Sequence, residues 1–196
     1  MAVVLAAGAG VVHAHHSNGM FDASAPLWVK GTVVSYAPVS PHAMLELEQR
    51  TADGKVQRWS VEGPAPGRLQ RILRANRMAA DAPVVKPGDV IEVCGFDLKA
   101  ELRAKGPPES VAAGSKFMHA PLIVMPDGHR QSWGPYGKLD NCVRPNDGAD
   151  AWREFLHRDT LARDLWCNGR ANTKAASVAP KALVDEIARS MAEPCG

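Results

Sequence analysis

The chain has 196 residues, of which 45% are hydrophobic and 22% charged, with a formal net charge of +2 and an isoelectric point near 8.4. That is enough apolar material to bury one real core with an extension, or two small ones, and too mild a charge to imply a polyanionic partner. Lys and Arg form no block of the kind that grips nucleic acid, and no stretch of about 18 apolar residues reads as a transmembrane helix.

Met1 to Ala14 is an uncharged apolar run closing on Val12-His13-Ala14. It reads as the core and cleavage site of a signal peptide, which predicts a mature chain that begins at His15 in the periplasm or outside the cell. No Lys or Arg precedes the run, a departure from the usual pattern. Cleavage here has a chemical consequence, because a terminal His15 offers both its amine and its ring nitrogen to one metal ion, with His16 beside it. No Cys follows the junction to carry a lipid anchor.

A loop from Ser17 to Pro26 is expected to lead into Trp28–Tyr36, a stretch rich in β-branched and aromatic residues that reads as a strand. Pro38 and Pro41 end it. Residues Ala43 to Glu48 alternate over their second half, Asp53-Gly54 supplies a hairpin turn, and Gln57 to Glu62 returns, so a three-stranded meander is predicted. Gly63 to Gly67 breaks the third strand, and Leu69, Ile72 and Leu73 recur at helical spacing between Arg68 and Met78. Arg68, Arg71, Arg74 and Arg77 on that segment read as a solvated face. Lys86-Pro87-Gly88-Asp89 turns the chain into a fourth strand, Val90 to Gly95. A fifth is expected at Phe117 to Met125, with Pro121 marking an edge or a bulge. The order β-β-β-α-β-β is that of a small five-stranded OB-like barrel, and the fold class is mainly β.

Beyond Arg130 the composition changes, which divides the chain into 1–14 as signal peptide, 15–130 as barrel and 131–196 as a helical C-terminal extension. Residues 132 to 137 read as a packed loop. A helix is expected from Asp150, as N-cap, to Trp166, with Trp152, Phe155 and Leu156 inward and a stop at Cys167-Asn168-Gly169. Another begins near Pro180 with Leu183, Val184, Ile187 and Met191 on one face. Each has a single narrow stripe to bury, so the pair is expected to dock on the barrel.

Cys94, Cys142, Cys167 and Cys195 contain no C-x-x-C pair and suit two disulfides, in keeping with export. Three pairings exist. If the two helices pack antiparallel, Cys195 returns toward Cys142, which leaves Cys94 for Cys167.

His15-His16-Ser17 with Phe21-Asp22, Gly31-Thr32-Val33, Pro41-His42-Ala43, Asp53-Gly54-Lys55, Trp59-Ser60-Val61-Glu62, Lys86-Pro87-Gly88-Asp89 and Pro126-Asp127-Gly128 resembles a bacterial exported family known as domain of unknown function 6152. The resemblance covers about His15 to Arg130. It implies export and the barrel, and brings no established activity with it. Ser40 departs from the Asn that the family tends to carry before Pro-His, and the chain after Arg130 exceeds the usual family domain.

Six histidines follow the leader. Met20 lies near His15 and His16, Met44 two residues after His42 and thus on the same strand face, and Met118 abuts His119. Imidazole with thioether suits copper, the thioether favouring Cu(I), whereas calcium or magnesium would need clustered carboxylates. The metal ligands expected are therefore His15, His16, His42 and His119. His129 reads as a solvated hairpin residue and His157 as surface. Hydrolase, zinc-protease and nucleotide-binding motifs are missing. The function expected is an exported, non-catalytic protein binding a transition metal, copper first. The alternatives are a metal-free module that takes a peptide, glycan or envelope partner through the exposed barrel face and the loops around Trp133 and Tyr136, and a copper oxidative enzyme.

Overall fold

The computed structural model describes residues 18–75, 85–106, 108, 111–133, 139–172, 178–192 and 195. The leader and both residues of the His15-His16 pair lie outside them, as does Tyr136.

Five strands close a barrel: β1 (Phe21–Ala37), β2 (Met44–Arg50), β3 (Val56–Glu62), β4 (Val90–Leu98) and β5 (Lys116–Val124). Neighbours pair antiparallel in the order β3-β2-β1-β4-β5, and a parallel β3–β5 pairing shuts the cylinder. Helix α1 (Pro66–Ala75) lies between β3 and β4 in sequence, so the connectivity is that of an OB-type barrel. Alternation sets which face is inside: Val29, Gly31 and Val33 of β1 are buried while Lys30, Thr32 and Val34 are exposed, as a period of two demands. The interior is filled by Val29, Val33, Leu45, Leu47, Val61, Ile91, Val93, Met118, Ala120 and Ile123. At Gly31 a side chain would place its Cβ 2.9 Å from Glu48 O; the close approach of β1 and β2 there requires glycine.

The first strand is longer than its sequence suggests. Phe21 to Pro26, expected as loop, continues β1 by pairing with β4, Phe21 opposite Leu98 and Pro26 opposite Phe96, with an irregularity between. The ladder holds only the two ends of this stretch; between them Asp22 Oδ1 accepts from Ser24 N–H and Oγ, and Ala23 O accepts from Asn141 Nδ2 at 2.6 Å, contacts that local propensity does not show. A four-residue helix α2 (Ala100–Arg103) and a short strand β6 (Arg130–Ser132) on the outer side of β5 also went unforeseen. Pro121 does not lie on an edge, since β5 is flanked by β3, β4 and β6; it sits where the β4–β5 register shifts, the bulge alternative.

The extension forms a second core against the outer face of β1, β4 and β5. Trp28, Cys94 and Leu122 pair across these strands and meet Leu139, Val143, Trp152, Phe155, Leu156, Trp166, Val184, Ile187 and Met191. The predicted single helix after Asp150 is two, α3 (Ala149–Arg158) and α4 (Thr160–Asn172), followed by α5 (Lys181–Ser190). Asp159 makes the break. Its Oδ1 accepts the Ala162 N–H at 2.9 Å as an N-cap, and its Oδ2 accepts the Ser132 N–H at 3.1 Å, binding the helix junction to β6. Asp150 caps nothing; Gly148 occupies the N-cap of α3, and Asp150 instead pairs with Arg153. Nor does Cys167-Asn168-Gly169 stop the chain, which stays helical to Asn172.

The disulfides correct the expected pairing. They join Cys94 to Cys142 and Cys167 to Cys195, with Cα separations of 5.8 and 5.4 Å. The reason is the extra helix. With α3 and α4 separate, the chain after α5 returns to α4 rather than to the start of the extension. Cys142, closing a 3-10 turn at Leu139–Cys142, lies directly on β4. No helix among the described residues is long and apolar enough to cross a membrane.

Candidate functional site

The outer face of β2, β3 and β5 carries a row of chemically different side chains. Met44 pairs with Glu62, and Glu62 with His119, and partners in a ladder point to the same side of a sheet. Because Leu45, Val61, Met118 and Ala120 point inward, the alternating Met44, Glu62 and His119 point outward. One step along, Glu46, Ser60 and Phe117 form a parallel row, in which Ser60 Oγ donates to Glu46 Oε1 at 2.6 Å.

His42 joins this row from the loop before β2. Its Nδ1 lies 3.3 Å from Glu62 Oε1 and 3.3 Å from Gly63 O. Both are acceptors, so in the neutral ring the proton belongs on Nδ1 and the lone pair on Nε2. The loop is fixed by two backbone bonds, Gly63 N–H to Ala43 O at 2.8 Å and Ala43 N–H to Pro64 O at 2.9 Å, which continue the β2–β3 ladder past its last side-chain pair. The Ser40–Pro41 bond before His42 is cis.

His119 is 2% exposed. The Phe21 ring covers it, with centroids 5.3 Å apart, and also meets Phe117 at 5.8 Å. Around them Leu98, Val111 and Phe117 form a small apolar cluster that takes in Met20, Phe21, Met44 and Leu102. Met20 is anchored there through its carbonyl, which accepts the Lys99 N–H at 2.9 Å. The first described turn, Asn18–Met20, thus lies on the same face as the histidine row.

Of the four expected ligands, His42 and His119 come onto this one face with Glu62 between them; His15 and His16 fall outside the described residues. Among the described residues no three His, Cys, Asp or Glu side chains group as a metal site. Glu62, expected only as the end of the third strand, and Phe21, expected in a loop, are the members not foreseen, and the signal for both is strand register rather than motif. Met118 faces the barrel core and takes no part in this outer face.

Two other regions can be weighed. His129 follows the Pro126-Asp127-Gly128 turn as expected, its N–H donated to Asp127 Oδ1 at 2.9 Å. It is half-buried rather than solvated, in a cleft of about 290 Å³ shared with Glu154, Phe155 and Arg158. Burial, and next the Arg158 charge, push its pKa below the ordinary value. His157 is exposed, as expected. Trp133 is not a recognition residue: it is 0% exposed, its indole packed on Gly63 and edge-on to Tyr36 at 5.8 Å. Burial also raises the Tyr36 pKa to about 12.

The model of the Family of unknown function (DUF6152) matches residues 3–106. The matched span holds β1 to β4, α1, His42 and Glu62, and ends before β5 and His119. Among solved structures, the chain is similar to a protein described as an aspartyl-tRNA synthetase from Leishmania major Friedlin, at 11% identity and a TM-score of 0.33. The comparison covers 70% of this chain and 25% of that one, so the chain spans about a quarter of its length. A search of the curated proteins finds no match.

Proposed function

This chain belongs to the family of unknown function DUF6152, and on that footing we propose that it is an exported, non-catalytic protein that binds a transition metal, copper first. The mature chain begins at His15 in this reading, and His15, His16, His42 and His119 supply the ligands. The observation that carries it is the orientation of His42. Metal-binding histidines characteristically turn their second ring nitrogen toward a carboxylate or a carbonyl, which fixes the tautomer and raises the basicity of the other. His42 has both acceptors on Nδ1.

Three further facts support the reading. His119 lies in the same outward row as Glu62. Met20, in the first described turn, packs on that face. Two disulfides fit an oxidising compartment.

The test is copper titration of the chain starting at His15, against a form with one additional residue before His15 and against His42→Ala. Binding is expected to weaken at least about tenfold in both variants, and Glu62→Gln to cost about 10–100-fold. Because ligand nitrogens must be deprotonated, affinity is expected to fall as pH drops through about 6.5. Equal affinity in all forms would overturn the proposal.

A further inference from the structure

Met20 and Met44 are far apart in sequence, yet both pack into the cluster of Leu98, Val111 and Phe117 under Phe21. Met44 opens β2 in the row that continues through Glu62 to His119, and Met20 is held over the same face by the Lys99 N–H. A patch that needed only packing could use Leu or Ile, whose side chains are equally apolar. Here the apolar side chains nearest the row of His119 and Glu62 include two with a polarizable thioether.

The donor set distinguishes the two oxidation states of copper. Cu(I) is soft and takes neutral thioether and imidazole ligands readily, whereas Cu(II) prefers nitrogen and oxygen donors such as a terminal amine with its own imidazole. The surroundings point the same way. Carrying a doubly charged ion under Phe21 and Phe117 costs more desolvation than carrying a singly charged one, and the Glu62 carboxylate is already turned toward His42. We propose that Met44, with Met20 as a second thioether, makes the barrel-face site selective for Cu(I), His42 and His119 supplying the imidazoles. This rests on the copper reading above and names the ion that the outer face is built to hold.

The experiment measures Cu(I) anaerobically by competition with a chromogenic chelator, Ag(I) as its redox-inert analogue, and Cu(II) in parallel, on the full mature chain. The variants are Met44→Leu and Met20→Leu/Met44→Leu, which conserve volume. Cu(I) and Ag(I) affinity is expected to fall at least about tenfold in the double variant while Cu(II) binding, which draws on the amine and imidazole nitrogens alone, is unchanged. In wild-type protein labelled at the methionine methyls, Ag(I) is expected to shift the Met20 and Met44 resonances and leave Met118 in place. That measurement needs no variant to fold. Unchanged Cu(I) affinity in the double variant, equal loss of both oxidation states, or unshifted Met20 and Met44 methyls would overturn the thioether site and leave the histidine reading standing. Failure of wild-type protein to bind either oxidation state would remove both.

Discussion

Replacing Gly63 with alanine adds one methyl group where there is no room for it. An ideal Cβ at this position would stand 1.8 Å from Trp133 Nε1 and 2.4 Å from its Cε2, inside any contact that real side chains make. Neither partner can withdraw. Gly63 is tied through its N–H to Ala43 O, and Ala43 through its own N–H to Pro64 O. Trp133 is wholly buried, with its backbone N–H donated to Pro121 O at 2.8 Å. Overpacking of this kind costs about 1–3 kcal/mol, and two rigid partners place it in the upper half, about 2–3 kcal/mol. For a chain of this size each kcal/mol moves Tm by about 2–4 °C, so thermal unfolding is expected about 4–12 °C lower. Trp133→Leu destabilises by itself, through the cavity it opens, but it removes the clash. The Gly63→Ala/Trp133→Leu pair is therefore expected to be at least about 1 kcal/mol more stable than the sum of the two single effects. The assay is urea unfolding of the two single variants and the double variant. Gly63→Ala within about 0.5 kcal/mol of wild type, or strictly additive losses, would refute the packing argument.

Peptide mapping without reduction is expected to recover Cys94 with Cys142 and Cys167 with Cys195, and a Cys142–Cys195 peptide would contradict the fold of the extension. The first bridge closes a sequence separation of 48 residues and the second one of 28, so loop entropy alone assigns them about 4 and about 3.5 kcal/mol. Serine pairs are expected to lower stability in that order, and a reversed order in urea unfolding would count against it. Asp159→Ala removes the N-cap of α4 and leaves the buried Ser132 N–H without its carboxylate, an expected loss of about 2–4 kcal/mol. Asp159→Asn, which keeps one acceptor, is expected to lose less; equal losses would show that the acceptors are not the cause. His129 is held below its ordinary pKa by burial and by Arg158, so the unfolded chain binds more protons than the folded one between the depressed value and about 6.5. The stability it contributes is then complete above about 6.5 and lost as pH falls through that window. His129→Gln is expected to flatten the dependence of the urea midpoint between pH 7.5 and 5, and an unaltered slope would refute the assignment.

The meander and the strands at Val90 and Phe117 were legible because alternation and turn chemistry agree: Leu45 and Leu47 alternate with Glu46 and Glu48, and Asp53-Gly54 sits between two runs of matching length. Phe21 to Pro26 was not legible, since its two ends pair with β4 and Ala23 between them is held by Asn141, partners distant in sequence. Asp159 shows the same limit in a helix. A pattern of apolar spacing runs through it from Trp152 to Trp166, and only the Ser132 N–H, distant in sequence, explains why the helix divides there. The cysteine pairing failed downstream of that one miss, because it depended on how many helices stand between Cys142 and Cys195.

The candidate site divides along the same line, and the barrel explains where it has to be. Histidines and methionines are visible by type, but their relation to Glu62 depends on the register that sets Met44, Glu62 and His119 in one row. The interior of this small barrel is filled with apolar side chains, so the ligand site proposed above has only the outer faces to occupy. One of these, on β1, β4 and β5, is covered by the helical extension and fastened by Cys94–Cys142. The face on β2, β3 and β5 is another, and there the polar residues Glu46, Ser60, Glu62 and His119 alternate with inward hydrophobes. It is covered by Met20, Phe21, Leu98, Leu102 and Val111, which leave His119 2% exposed. Among the described residues this face carries imidazole, carboxylate and thioether together, and the proposed processing at His15 would free an amine five residues before Met20 in the sequence. Without that processing, His15 would bring only its ring, and the barrel histidines would have to hold the ion with one donor fewer.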